Sequence, residues 1–414
     1  MTIFRLGFPP SKARLIYESI LLLNQKPTPY QHCSKRLLSK CKSKGPPWRI
    51  LFLGSDDFAL KSLQSLCSKF RTGTLISKLD IVTSNAKNLV GSFAQEEKLN
   101  YFLWPIDESS LRGQYDLGIV VSFGHLIPEE VINAFPLGMI NAHGSLLPRW
   151  RGASPIVYAI MHGDQETGVT ITKIKPSKFD TGDVVRQYRC HIAGDETNLE
   201  LRERLAHHSS ELLIECVRDL PRCLSMSQPQ SEDGVTYAPK LTKELAKISW
   251  MKMTSRDIYN KHRALSHIYP LTTKWKGDFI KFLDISFDME ELRGNGVVTG
   301  DVGEIQTQSA LSFLNVSKKK EPSIGTGKSA VSFLNSTESP GKSINKIRNA
   351  SVEPGLVKFD KSRNVLSVMC CDGRSVLVNK LIVVGRKTMT AADFYNGFVT
   401  KVSNVSDRMF KDFD

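Results

Sequence analysis

The stretch Ile140-Asn141-Ala142-His143-Gly144-Ser145-Leu146-Leu147-Pro148-Arg149-Trp150-Arg151-Gly152 decides how this 414-residue chain is read. Its apolar beginning predicts a strand over residues 139–142. Side chains at i and i+2 leave a strand on the same face, so Asn141 and His143 aim at one small volume at the strand's carboxyl end. Asp180 follows 37 residues after His143, in the run Phe179-Asp180-Thr181-Gly182-Asp183, whose glycine predicts a turn. An amide donor, a base-capable imidazole and a carboxylate to orient it are what transfer of a carbonyl group to an amine requires. Singly, each has a plainer reading. Asn141 alone would be a strand-end turn, His143 a satisfied polar residue, and Asp180 an Asx-turn or helix cap.

Upstream of the motif, strand and helix patterns alternate. Residues 49–54 read as a buried strand ending in glycine, and residues 57–70 have helical spacing with Leu60, Leu63, Leu66 and Phe70 on one face. Strands are predicted at 79–83 and 101–104. A continuous apolar strand at 116–121 is of the kind found in a parallel sheet covered on both faces. Helices are predicted at 87–99 and 128–135, the second with Pro128 in its first turn. Repeated units of this length argue for a Rossmann-like open α/β sheet whose ligands lie beyond the strands' carboxyl ends. The first such turn, Gly54-Ser55-Asp56-Asp57-Phe58, lacks the G-x-G-x-x-G glycines, which argues against dinucleotide binding.

Downstream, residues 168–174 and 184–192 are β-like and a long helix is predicted at 198–220. Beyond Trp250 the pattern is β-rich, at 279–283, 355–359, 365–371 and 375–384, with few convincing helices. A small antiparallel barrel is the expected packing. The organisation is then a leader at 1–48, a catalytic domain at 49–238, a linker at 239–255 and a C-terminal β-barrel at 256–414.

An insertion at about 300–350 interrupts the barrel. It is rich in Ser, Gly and Lys and carries the segment SALSFLN at 309–315 again as SAVSFLN at 329–335. Two copies do not make a solenoid, and the composition predicts a disordered loop. Within it, residues 325–329 mimic the end of a phosphate-binding loop, but Pro322 stands where the first glycine is required.

The net charge of +14 is unevenly spread. Residues 1–49 hold ten Lys/Arg against one acid, residues 50–239 hold 18 against 23, and residues 240–414 hold 28 against 18. A slightly acidic central module followed by a basic one fits a catalytic domain joined to a domain that meets a polyanion. Lys252, Arg256, Lys261, Arg263, Lys274, Lys276, Arg386 and Lys387 are the candidate phosphate contacts. The leader, basic and Ser- and Pro-containing with no acid before Glu18, has the composition of an organelle-targeting peptide. Its apolar run at 19–23 is too short to span a membrane. Eight cysteines without C-x-x-C or zinc spacing predict a reducing compartment, with neither a disulfide framework nor a metal.

The run INAHGSLLPRWRGASP, with GDQETGVTI and FDTGD after it, resembles the formyltransferases that draw on 10-formyltetrahydrofolate. Within that family it is most similar to the branch whose acceptor is initiator methionyl-tRNA. The basic leader points to a mitochondrial, matrix-located member that serves translation initiation. The resemblance runs from about residue 49 to about 401 and is densest up to 183.

It implies roles for the residues already singled out. Asn141 would donate to the oxyanion, His143 would share that oxygen or shuttle the amine's proton, and Asp180 would orient the imidazole. Ser145, Leu146, Leu147 and Pro148 would wall the folate, with Leu126 and Ile127 of the run Phe123-Gly124-His125-Leu126-Ile127 opposite. The implied partners are the tRNA and tetrahydrofolate, with no metal and no membrane, and the implied state is a monomer.

Two features depart from the bacterial pattern. The loop after the second strand carries only Lys87 where those relatives have an enlarged basic loop, and Pro176-Ser177-Lys178 lengthen the turn before Asp180. Two other readings stay open: a folate-dependent formyltransferase acting on a small amine, and an RNA-binding protein with a retired catalytic module.

Overall fold

The computed structural model describes residues 45–287 and 353–413. All but the end of the leader, the insertion at about 300–350 with its repeat and residues 325–329, and Cys33 and Cys41 lie outside the described residues. The chain divides into two compact units. One holds residues up to Ala153, Thr167–Cys190 and Arg202–Ala238; the other holds Ser154–Glu166, His191–Leu201 and Pro239 onward.

Seven strands make the sheet of the first unit: β1 Trp48–Gly54, β2 Ile76–Thr83, β3 Tyr101–Leu103, β4 Leu117–Val121, β5 Met139–His143, β6 Glu166–Lys173 and β7 Val184–His191. Their order is β3-β2-β1-β4-β5-β6-β7. The first five pair in parallel. The sixth turns back antiparallel on β5, so the sheet is mixed rather than wholly parallel. Strand order reverses around β1, with β2 and β3 on one side and β4 and β5 on the other. The crevice that such a reversal opens lies beyond the carboxyl ends of β1 and β4.

Local chemistry explains the elements that frame this crevice. The helix Asp57–Thr72 starts where the Asp56 side chain accepts from the Ala59 N–H and stops at Gly73, which adopts φ 70°. Its buried face is Phe58, Ala59, Ser62, Leu63, Leu66 and Cys67, whereas Leu60 and Phe70 are only half-buried. The expected face is thus rotated by part of a turn. All five residues of β4 are buried. Behind the crevice, Leu51, Leu53, Val82, Phe123, Ile127, Val131 and Met139 pack into one apolar cluster.

The second unit is built on six strands: β8 Leu271–Trp275, β9 Asp278–Ser286, β10 Val357–Asp360, β11 Val365–Met369, β12 Ser375–Val383 and β13 Thr388–Thr390. The order is β10-β11-β12-β9-β8, with β13 on β12 and antiparallel pairing throughout. The tail closes the sheet on itself. Lys411 and Lys274 exchange backbone hydrogen bonds at the β8 edge, while Phe410 N–H donates to Gly355 and Val357 N–H to Arg408 beside β10. A tail bonded to both edge strands is how an antiparallel sheet loses its edges. Phe410, 1% exposed, sits among Trp250, Trp275, Phe282 and Phe394, with ring centroids 5.2–6.0 Å away.

Several elements here were absent from the sequence reading. β8 joins β9 through Lys276 and Gly277, both at positive φ, the geometry of a tight hairpin. The helix Ser255–Leu265 begins with a capping box between Thr254 and Asp257. It packs on the helix Pro155–Met161, which belongs to the same unit. Residues 239–255, expected as a linker, are part of this unit: Ile248 and Trp250 are buried, and Trp250 Nε1 donates to Thr273 at 2.8 Å. Among the described residues, no helix is long and apolar enough to cross a membrane.

Candidate active site

β5 is an interior strand of the first sheet, with Val120 of β4 opposite Asn141 on one side and Thr172 and Thr170 of β6 opposite Asn141 and His143 on the other. Because both neighbours are rigid strands, the two polar residues leave the sheet in fixed directions. They meet Asp180. The Asn141 side-chain amide donates to Asp180 Oδ1 at 3.2 Å, and His143 Nδ1 lies 3.4 Å from the same oxygen. The other carboxylate oxygen, Oδ2, accepts the Gly152 N–H at 2.9 Å. His143 Nε2 is 2.8 Å from the Trp150 carbonyl. A carbonyl can only accept, so Nε2 carries the N–H. The side chains of His143 and Asp180 are 7% and 9% exposed, so this charge cluster is largely screened from water.

Asp180 pays for its place. Its φ is +55°, the left-handed region, which disfavours a residue with a Cβ by about 1–2 kcal/mol. Two neighbouring features hold it there. A Cβ on Gly182 would lie 1.5 Å from the Lys173 carbonyl oxygen, so this turn admits only glycine at that position. The Gln230 side-chain amide donates to the carbonyls of Asp180 and Gly182, each at 2.8 Å. Gln230 was not found from the sequence. It lies 50 residues beyond Asp180 in a stretch with no motif, and no local signal marks it. Asp183, the second acid of the turn, pairs with Lys175 at 2.7 Å.

The loop after β5 is held from inside. Ser145 is fully buried, and its hydroxyl donates to the Arg149 carbonyl at 2.6 Å. Thr170 donates to the Ser145 carbonyl at 2.6 Å and accepts from the Leu147 N–H at 3.1 Å. Gln187 donates to the Leu147 carbonyl at 2.9 Å. Leu147 is buried as well, while Leu146 and Pro148 are half-buried. Across the crevice, Leu126 is 48% exposed, but Ile127 belongs to the apolar cluster behind the sheet. Of the six residues expected to wall a ligand, Leu146, Pro148 and Leu126 offer side-chain surface. Ser145, Leu147 and Ile127 support the wall from behind. His125 is exposed and stands 5.0 Å from the Phe123 ring and 5.9 Å from Trp104, ring centre to ring centre. Trp104, read from the sequence only as the end of a strand, completes this aromatic group.

Among the described residues, no group of three or more His, Cys, Asp or Glu is placed to hold a metal ion. In the second unit, the eight candidate phosphate contacts divide. Lys252, Lys276, Arg386 and Lys387 are exposed, and Arg256 and Lys274 are half-buried. Arg263 is buried and donates to the carbonyls of Ala193 and Glu196, and burial lowers its guanidinium pKa. Lys261 donates to the Lys247 carbonyl, and burial pushes its ammonium down to about 8. Arg263 is enclosed by the fold and is not a surface contact, which corrects the sequence expectation for it, while Lys261 is half-buried and commits its ammonium to a backbone carbonyl.

Comparison with known proteins adds to this geometry. The formyl transferase family matches residues 96–217, and the formyl transferase C-terminal domain matches residues 240–344. The mitochondrial methionyl-tRNA formyltransferase of Mus musculus is 34% identical over 365 residues, covering 86% of this chain and 79% of that protein. The Homo sapiens protein of the same name is 34% identical and covers 86% and 78%. The methionyl-tRNA formyltransferase of Pseudoalteromonas translucida is 36% identical over 231 residues, 53% of this chain and 71% of its own length. A sugar 3N-formyl transferase, solved in the presence of dTDP and 5-N-formyl-THF, superposes with a TM-score of 0.52 at 15% identity. That structure covers 83% of this chain and all of its own, and the likeness extends to the fold alone.

Proposed function

The chain belongs to the methionyl-tRNA formyltransferases of the mitochondrial type, and from that membership we propose how its crevice performs the reaction. The protein transfers a formyl group from 10-formyltetrahydrofolate to the α-amino group of methionyl-tRNA. The amine nitrogen attacks the formyl carbon, the carbonyl oxygen takes up negative charge, and the bond from carbon to the folate nitrogen then breaks. One proton leaves the attacking nitrogen and one arrives on the departing folate nitrogen. The α-amino group of an aminoacyl ester titrates below the roughly 7.7–8.0 of a chain terminus, so much of it is neutral and no covalent enzyme intermediate is needed.

Asn141 has two amide hydrogens. One is held by Asp180, and the other serves the developing oxyanion, where a fixed donor is worth most. His143 takes the amine's proton, with Asp180 beside it to stabilise the positive ring. Doing so through Nε2 requires that nitrogen to leave the Trp150 carbonyl and the ring to carry its hydrogen on Nδ1, toward Asp180. Leu146, Pro148 and Leu126, with Trp104 and His125, form the apolar and aromatic walls for the flat folate ring, and the buried Phe123 backs them.

The second unit carries the tRNA backbone on Lys252, Lys276, Arg386 and Lys387, while the crevice handles only the aminoacyl end. The domain roles follow as catalytic for residues 49–238 and tRNA-binding for the barrel. The protein acts as a monomer in the mitochondrial matrix after loss of its basic leader. The composition of that leader and the mitochondrial names of its relatives support this placement.

The single observation that carries the mechanism is one carboxylate oxygen shared by Asn141 and His143. The test offers labelled 10-formyltetrahydrofolate with charged initiator tRNA and, separately, with glycinamide ribonucleotide. Label is expected on the tRNA. Label on the small amine instead, or on neither, would overturn the reading.

A further inference from the structure

Gln230 sits outside every motif, yet each hydrogen-bonding position of its side chain is engaged. Its Oε1 accepts from Arg151 Nε at 3.1 Å and from the outer guanidinium nitrogen Nη2 at 2.7 Å. Its Nε2 donates to the carbonyl oxygens of Asp180 and Gly182. An amide offers two donors and two acceptor lone pairs, and all four are used here. Its orientation is fixed, because reversal would set oxygen against two carbonyls and N–H against a guanidinium.

The bonds form a closed ring. Arg151 grips Gln230, Gln230 grips the backbone of Asp180, and the Asp180 carboxylate returns to the N–H of Gly152, the residue after Arg151. Asp180 holds a left-handed conformation at the centre of this ring. We propose that Gln230 is a positioning residue for formyl transfer: with Arg151 it clamps the Asp180 turn so that the carboxylate reaches Asn141 and His143 together. The inference rests on the catalytic reading of Asp180 given above.

Shape and polarity make opposite predictions at this position. Glutamate has nearly the same shape as glutamine but no N–H, so it faces the two carbonyls with an oxygen. If Gln230 only fills space, Gln230→Glu should be close to wild type and Gln230→Ala the worse variant. If it clamps the turn, Gln230→Glu should be at least as damaging as Gln230→Ala. The expected loss is about 100-fold in kcat, the scale of a small misplacement of a catalytic group. KM for charged tRNA and for the folate donor should stay unchanged.

Both variants are measured alone and combined with Asp180→Asn, with thermal melting as the check on folding. If Gln230 acts through Asp180, its loss should add little on the Asp180→Asn background. An equal loss on that background, a change confined to KM, or a wild-type Gln230→Glu would overturn the inference. Should both Gln230 variants fail to fold, Arg151→Lys breaks the two-bond grip from the other side. A kcat loss coupled to Asp180 then supports the clamp, and its absence overturns it. Full activity in Asp180→Asn alone would show that the catalytic reading had failed, and the inference would fall with it.

Discussion

His143 and Asp180 stand 3.4 Å apart, from Nδ1 to Oδ1, although 37 residues separate them in sequence. Residues acting as one unit lose their contribution together. His143→Ala and Asp180→Ala should each lower kcat by about 10²–10⁴-fold. The double variant should lose much less than the product of the two. Steady-state kinetics on charged tRNA makes the measurement, and multiplicative losses would show that the two residues work separately.

Gly182→Ala tests the turn itself. A methyl group 1.5 Å from the Lys173 carbonyl cannot be accommodated without moving the strand or the turn. Destabilisation of about 1–3 kcal/mol, as for other overpacked sites, should accompany a collapse of turnover. Urea unfolding and formylation assays on the same preparation would read both. A variant that kept activity would mean the turn shifts without disturbing Asp180.

The barrel's closure depends on its last residues. Phe410 fills an aromatic centre, and its neighbours bond to both edge strands. Phe410→Ala should cost about 3–5 kcal/mol. Ending the chain before Met409 should cost more, because Lys274 and Gly355 would lose their backbone partners, Lys411 and Phe410, as well. Denaturant midpoints of the two proteins rank the effects, and a shortened chain as stable as wild type would contradict closure by the tail.

Stability should carry an acid limb from His262. This residue is buried, its Nε2 accepts the Ile285 N–H, and burial pushes its pKa from 6.5 to about 4. Above about pH 6.5 the ring is neutral in both states and adds no pH dependence. Between 6.5 and 4 the unfolded chain binds a proton that the folded chain resists, so stability falls as pH falls. The slope is about 1.4 kcal/mol per pH unit. Comparing denaturation of wild type and His262→Gln across this window should show the limb only in the former.

Exposed and buried cations of the second unit should separate in experiment. Alanine at Lys252, Lys276, Arg386 and Lys387 should raise KM for charged tRNA and flatten its salt dependence, leaving the folate KM unchanged. Arg263→Ala should lower the melting temperature instead, since it strips the carbonyls of Ala193 and Glu196 of a donor. An Arg263 variant that melted normally and bound tRNA weakly would reverse this assignment.

Much of the first sheet was legible because strand and helix periods are local. The period-two geometry of β5 alone puts Asn141 and His143 on one face, and the apolar run at residues 116–121 contains β4. Helix Ser255–Leu265 was missed although its capping box was in view, since Thr254 and Asp257 open a mostly polar helix with a narrow apolar face. β8 was missed because its buried residues, Leu271, Thr273 and Trp275, include a threonine that reads as polar.

The sequence by itself determined which chemical groups this protein brings to its reaction, and which strand delivers two of them, because side-chain direction along a strand follows from backbone geometry alone. Only the tertiary structure decided how Asp180 is held, through Gln230, 50 residues away, and Gly182 against the Lys173 carbonyl. It also decided which cations face water: Arg263 and Lys252 are both basic in sequence, and burial makes one a structural donor and leaves the other exposed. Hydrogen bonds across long sequence separations and exclusion from solvent depend on where distant segments meet, and that information is absent from any local run of residues.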